Sequence, residues 1–343
     1  MKYLIYSDPH FCQASSIVRQ RGKKYSERLH NLIRSISWAE HLAEEENCDE
    51  IICAGDFMDK PNISAEEITA LQDVYFADIP HRILVGNHDS NVASLCFSST
   101  MALNSINSDI ITQPIISRVN DFVDIYYIPY ITNKEDFELS NYLRLDHKKK
   151  IVITHNDIRG IRYGKYVSES GFSIADIKEH CTLFINGHLH NGYMLDDNII
   201  LVGNLTGLNF NENANKYDHY IYLLTINDDG SIDLEPRINP YAFNFYKIYV
   251  NNENDFTQLD NLKSNAVLSV ICNASLLEIT EEKLKSLSNV ITYRLTGTYG
   301  HNDSTEDFEF TQEDHLKQFI DYVQTKIEPS KVLSEELSIL GGN

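Results

Sequence analysis

Residues 50–59 read EIICAGDFMD. A short apolar, β-branched run ends in Ala-Gly and then in two acids, Asp56 and Asp59, three residues apart. Such a run reads as a buried strand. Its polar end is where chemistry is expected, because ligands of open α/β sheets bind at the carboxyl ends of strands. The pattern repeats outward in both directions. MKYLIYSDPH (1–10) sets Asp8 and His10 after a strand, and HRILVGNHD (81–89) sets Asn87, His88 and Asp89 after another. KIVITHND (150–157) ends in His155, and CTLFINGHLH (181–190) ends in His188 and His190. These clusters lie far apart in the chain, yet parallel strands in one sheet edge would bring them together.

Between the strands, Leu29, Leu32, Ile33, Ile36, Ala39, Leu42 and Ala43 recur at helical spacing. They predict an amphipathic helix over 26–46 capped by Ser26. A second helix is expected over 64–76, strands over 110–117 and 122–128, and a helix near 134–144. Strands near 198–203 and 219–226 follow. Alternating strands and helices, then consecutive strands, predict an α/β domain of packed mixed sheets. NDDGS (227–231) and the two prolines of PRINP (236–240) mark a boundary. It separates a domain of 1–235 from a smaller α+β region of 241–311, whose helix is expected to start at Thr280. Leu316, Phe319, Ile320 and Val323 share one face of a helix in 312–343.

Composition narrows the function. The chain has 343 residues, 42% of them apolar, which is ample for a core. Its N-terminus resembles neither a signal peptide nor a membrane anchor, and no apolar stretch approaches transmembrane length. The six cysteines form no C-x-x-C pair and suit a reducing compartment. A cytoplasmic chain with no membrane partner is the expectation. The net charge is −21, and 303–314 (DSTEDFEFTQED) is densely acidic. A protein that gripped nucleic acid unaided would carry a basic surface instead.

The strand-end residues are of metal-binding types. Asp and Asn offer oxygen, His offers nitrogen, and the mixture suits manganese, iron or zinc better than calcium or magnesium. Seven candidate ligands, one of them bridging, suffice for two divalent ions about 3.5–4 Å apart. Any one fragment arises by chance; five in this order, each after an apolar strand, do not.

The set D-x-H, G-D-x-x-D, G-N-H-D, a later His and G-H-x-H resembles the signature of calcineurin-like metallophosphoesterases. The resemblance implies two mixed β-sheets packed face to face and flanked by helices, with two metals at one edge. It implies that Asp8, His10 and His190 hold one ion, that Asn87, His155 and His188 hold the other, and that Asp56 bridges them. His88 resembles the family's non-ligand histidine, which contacts phosphate and protonates the leaving oxygen. Asp59 resembles the carboxylate that orients that histidine. Asp89 reads equally well as a cap for the segment after its loop.

GDFMD with GNHD, and the hundred or so residues after 240, resemble the SbcD-type DNA nucleases, in the short form of tailed phages. YIPY (127–130) and VGNLTGLNFNEN (202–213) resemble the same type. That resemblance implies DNA as substrate, manganese as the metal and an SbcC-type coiled-coil ATPase as partner, docked on 312–343; a homodimer is a further form open to it. Two basic loops support a polyanionic substrate: Arg19, Arg21, Lys23, Lys24 and Arg28 after the first motif, and Arg159, Arg162 and Lys165 after His155. Lys148, Lys149 and Lys150 precede a strand and fall at the opposite end. A small-molecule or nucleotide phosphodiesterase or phosphatase is the alternative, and a non-catalytic relative is a third.

Overall fold

The structure is a computed structural model. It describes residues 1–298 except 20, 23, 92–93, 105–106, 134–135 and 164–165. The tail from 299 to 343, with the expected partner-docking helix and the acidic run, lies outside the described residues.

In chain order, β1 (Lys2–Tyr6), α1 (Glu27–Glu45), β2 (Glu50–Cys53), α2 (Ala65–Leu71), β3 (His81–Leu84) and β4 (Ser108–Ile111) come first. Then follow β5 (Ile115–Arg118), β6 (Val123–Ile128), β7 (Lys149–Thr154) and the short hairpin β8 (Arg162–Tyr163) and β9 (Tyr166–Val167). After α3 (Ile174–His180) come β10 (Leu183–Asn186), β11 (Tyr193–Asp196), β12 (Ile199–Leu201), β13 (Tyr220–Ile226) and β14 (Ile232–Ile238). The last elements are β15 (Asn244–Val250), β16 (Ala266–Asn273), α4 (Leu277–Ser286) and β17 (Val290–Thr298). They form two six-stranded mixed sheets, β14-β13-β1-β2-β3-β4 and β11-β12-β10-β7-β6-β5, plus a three-stranded parallel sheet β15-β16-β17.

The two-residue period of the strands builds the layers. Tyr3, Ile5 and Ile52 face Val123, Ile125, Ile151, Ile153, Ile185 and Ile200 in a core between the sheets. Leu4, Tyr6, Ile51 and Cys53 point the other way, onto Leu29, Leu32, Ile36, Ala39 and Ala43 of α1. On the far side, Tyr126, Val152 and Phe184 pack against Ile177 of α3 and Phe172. Helix, sheet, sheet and helix are therefore stacked, as the motifs imply. Strands buried on both faces explain why β1, β2, β7 and β10 read as unbroken apolar runs.

Local chemistry sets the ends. Ser26 caps α1 by accepting from the Leu29 amide at 3.2 Å. Ser64 and Glu67 form a capping box on α2. That helix stops at Leu71, short of the expected 76, because Ser37 Oγ and Glu40 of α1 take the Tyr75 and Ala77 amides. The single strand expected over 110–117 is two. Pro114 interrupts the ladder, β4 joins β3 in the first sheet, and β5 joins β6 in the second. In place of a helix near 134–144, a 3₁₀ turn at Leu139–Asn141 is anchored by Asp176, which accepts from the Leu139 amide.

The boundary region also differs in detail. Pro236 lies inside β14, an edge strand, where a missing amide hydrogen costs little. α4 starts at Leu277, and Thr280 bonds back to the Leu276 carbonyl from within the helix. The small sheet has its own core of Tyr246, Ile248, Leu268, Val270 and Leu284. It is seated on the larger body by Phe243, Phe245 and Val267 against Val18, Ile17 and Phe210.

Candidate metal centre

β1, β2 and β3 run parallel in the first sheet, and β7 and β10 run parallel in the second. The loops after all five meet at one edge of the sandwich. The loops after β1 and β2 are zipped together: the amides of Asp8, His10 and Phe11 donate to the carbonyls of Gly55, Asp56 and Phe57 at 3.1, 3.1 and 2.7 Å. Asp8, His10, Asp56 and His188 all adopt left-handed backbone, with φ of +50°, +48°, +48° and +69°. Non-glycine residues rarely adopt it, and such strain clusters at functional sites. Asp8 takes the Ser7 hydroxyl and the His188 amide on one carboxylate oxygen, which ties the two sheets' loops together. Gly187 sits where they press closest, and a Cβ there would collide with Ser7 Oγ and the Ala54 carbonyl.

The side chains converge. His10 Nε2 lies 3.1 Å from His190 Nε2, 3.7 Å from Asp8 Oδ1 and 3.8 Å from Asp56 Oδ2. His155 Nε2 lies 3.1 Å from Asp56 Oδ2. Among the described residues, three groups are compact enough to hold a metal ion: Asp8, His10 and His190; His10, Asp56 and His88; Asp56, His155 and His188. Asp8 Oδ1 and Asn87 Oδ1 are buried with no hydrogen-bond partner among the described residues. Buried polar atoms are ordinarily satisfied. Orphans of ligand type, gathered in one cluster, fit divalent metal ions.

Charge points the same way. Burial pushes the Asp8 and Asp56 carboxyls up, but the surrounding imidazoles together outweigh it, His155 foremost with His10 and, for Asp8, His190, and both are held below the usual range. Burial draws the His10 and His155 rings down; for His10 the Asp59 and Asp8 carboxylates outweigh it, for His155 chiefly Asp56, raising them to about 10 and about 9. The field that retains protons on these rings would equally attract a divalent cation, which displaces them. Burial, and then Asp56, push Asp89 up to about 7. Asp89 reaches no ligand role here: it accepts from the Met58 amide at 2.7 Å and the Gly86 amide at 2.8 Å, bracing two motif loops.

A family model, the calcineurin-like phosphoesterases, matches residues 1–222. The chain belongs to that family. It is accordingly a metal-dependent phosphoester hydrolase. A search of curated proteins returns no match. Among solved structures, a dimetal phosphatase from Danio rerio superposes with a TM-score of 0.44 at 11% identity, over 69% of this chain and 96% of that one. A phosphoesterase from E. coli gives 0.33 at 11% identity, over 70% and 100% of the two chains. NAD nucleotidase from Haemophilus influenzae gives 0.38 at 10%, over 83% and 60%.

Within this phosphoesterase, one expected contact is different. The Asp59 carboxylate faces His10 Nδ1 at 3.2 Å, not His88. His88 Nδ1 is instead 3.0 Å from the Asp59 main-chain carbonyl, and its own amide donates to Asp56 Oδ1 at 2.8 Å. The D-x-x-D turn thus splits its work, with the backbone orienting His88 and the side chain orienting His10. Asp59→Asn is therefore expected to weaken metal binding by about 10–100-fold, as loss of a ligand's supporting acceptor does. Turnover at saturating metal should stay near wild type. Metal titration against activity checks this; a turnover loss with metal affinity unchanged would return Asp59 to the role of orienting His88.

The basic loops divide by environment. Arg28 is 3% exposed and donates to the Gly207 and Pro9 carbonyls, so it is a strut. Arg21 pairs with Glu66 at 2.7 Å, Lys24 pairs with Asp73, and Arg19 donates to the Ser16 carbonyl. Lys23 and Lys165 lie outside the described residues. Arg159 and Arg162, in and beside the β8–β9 hairpin that follows β7, are exposed and have no side-chain partner among the described residues. Lys148 and Lys150 pair with Asp124 and Asp146 at the opposite end, as their position predicts. No helix among the described residues is long and apolar enough to cross a membrane.

Proposed function

We propose that this chain is a two-metal phosphodiesterase acting on DNA, the nuclease subunit of an assembly with a coiled-coil ATPase. The observation that carries the two-metal reading is Asp56, whose carboxylate lies between His10 and His155, members of two different ligand groups. Asp8, His10 and His190 would hold one ion, Asn87, His155 and His188 the other, and Asp56 both. The donor set suits manganese. Bound there, the ions would supply an activated water and neutralise charge building on the phosphate. His88, on the exposed rim of the cluster, would hydrogen-bond a phosphate oxygen and give a proton to the departing one. The left-handed loops hold the acids and imidazoles in place before substrate arrives.

DNA is favoured over a small ester by Arg159 and Arg162, free cations beside the site in a chain of net charge −21. Phosphate contacts of this kind would position a backbone without reading its sequence. In a chain this acidic, a partner would have to supply the rest of the grip. Residues 312–343 are the candidate dock, by the apolar face of Leu316, Phe319, Ile320 and Val323. A nucleotide or other small phosphoester as substrate is supported by Arg21 and Lys24, which acids already neutralise.

Two assays separate the readings. Linear duplex DNA and a small chromogenic phosphodiester are each incubated with the manganese-loaded protein. Both should be cleaved. Arg159→Ala with Arg162→Ala should cut DNA turnover and flatten its salt dependence, since fewer counterions are released, and should spare the small ester. Equal losses on both, or no DNA cleavage at all, would favour the small-molecule enzyme.

A further inference from the structure

Each imidazole of the cluster turns one nitrogen toward the ligands and offers the other to an acceptor. His155 Nδ1 faces the Ala54 carbonyl at 2.8 Å, and His10 Nδ1 faces Asp59 at 3.2 Å. The remaining two face carboxylates outside the proposed ligand set. His188 Nε2 lies 3.4 Å from Asp157 Oδ1, and His190 Nδ1 lies 3.6 Å from Glu212 Oε1. These separations are ion-pair contacts lying just beyond a hydrogen bond.

Glu212 is not a loop acid left in solvent. It is 6% exposed, deep in the segment 202–213, and held at both oxygens: Asn204 Nδ2 donates to Oε1 at 3.0 Å and the Leu208 amide to Oε2 at 2.9 Å. Its carboxylate is thus aimed before any ring rotates. Asp157 opens the loop after β7, where its carbonyl accepts the Phe172 amide at 3.0 Å, and Gly171 packs so closely on it that a Cβ would collide. Glu212 is thus held at its carboxylate by one side-chain and one main-chain donor, and Asp157 at its main chain.

A neutral imidazole carries a proton on one nitrogen and a lone pair on the other. An acceptor at one nitrogen sends the lone pair to the opposite one and fixes the ring's plane. We propose that Asp157 and Glu212 are the positioning residues of the metal centre. Asp157 holds the proton of His188 on Nε2 and leaves Nδ1 for the cation; Glu212 holds the proton of His190 on Nδ1 and leaves Nε2, the atom that faces His10 and Asp8. This rests on the two-metal reading above. It adds a division of labour: Glu212 serves the ion of Asp8, His10 and His190, and Asp157 serves that of Asp56, His155 and His188.

The test uses the full chain freed of metal and titrated with manganese by calorimetry, with bound metal counted after gel filtration. Glu212→Gln and Asp157→Asn should each lose about 10–100-fold in affinity at one of two sites. The double variant should lose it at both, and the metal-free forms should melt with the wild type. Cobalt absorption should change in a different band for each single variant. Wild-type affinities in both variants, beside a wild type that takes two ions, would overturn the positioning roles and leave the two-metal reading standing. Variants that melt lower without metal and keep their affinities would show that the carboxylates only hold their loops. A wild type that takes no ion would overturn both.

Discussion

Asp56→Ala is expected to abolish phosphoester hydrolysis while the chain keeps its fold. The Asp56 carboxylate approaches His155 at 3.1 Å and His10 at 3.8 Å, and it belongs to two of the three groups able to hold a metal. Removing it takes a ligand from both proposed ions at once and leaves His155 without the acid that chiefly offsets its burial. The same substitution frees the His88 amide, which donates to Asp56 Oδ1. Position, charge and metal are lost together, so no partial activity should survive; each contribution is worth orders of magnitude in such sites. The change leaves the apolar side chains of β2 in place, because Asp56 lies past the end of that strand. Elemental analysis should show the metal content fall from about two per chain, the number of a two-metal site, while circular dichroism is unchanged. Full turnover in this variant would remove Asp56 from the reaction.

His88→Ala should keep both metals and lose about 10²–10⁴-fold in turnover, the range of a missing general acid. His88 is exposed, edge-on to His10 at 4.7 Å between ring centroids, and its Nδ1 is taken by the Asp59 carbonyl. With Nδ1 engaged, Nε2 is left for the substrate. The ring also falls within a metal-sized group with His10 and Asp56, so metal counting is the deciding measurement. Loss of an ion in His88→Ala would make it a ligand. Turnover of esters with better leaving groups should suffer less in this variant, because they need no proton on departure. An equal loss on every ester would point to phosphate binding instead.

Much of the fold and of the candidate site is legible in the sequence alone. Strand β2 could be read because an apolar run ended abruptly in Gly55 and Asp56, and the four like it carry the remaining candidate ligands. The layered fold followed from the helical spacing in α1 and from strands apolar on both faces. What failed did so for local reasons. Ile110, Ile111, Ile115 and Ile116 look like one strand, and only the geometry at Pro114 sends them to separate sheets. D-x-x-D spacing places Asp59 near the metal loop but does not say which imidazole its carboxylate meets. A run of basic residues does not reveal that Glu66 and Asp73, distant in sequence, neutralise two of them. Asp157 and Glu212 sit in polar loops and resemble solvated acids until the rings beside them are seen.

Asp8, His10, Asp56 and Asn87 come from loops of one sheet, and His155, His188 and His190 from loops of the other. A cation held by both sets would therefore rivet the sandwich across its seam. By mass action, a ligand bound to the native chain alone adds about 2.7 kcal/mol at a hundredfold excess over its dissociation constant. Resistance to heat and to proteases would then follow the supply of metal in the surroundings, so a starved protein would be lost by unfolding as well as by inactivity.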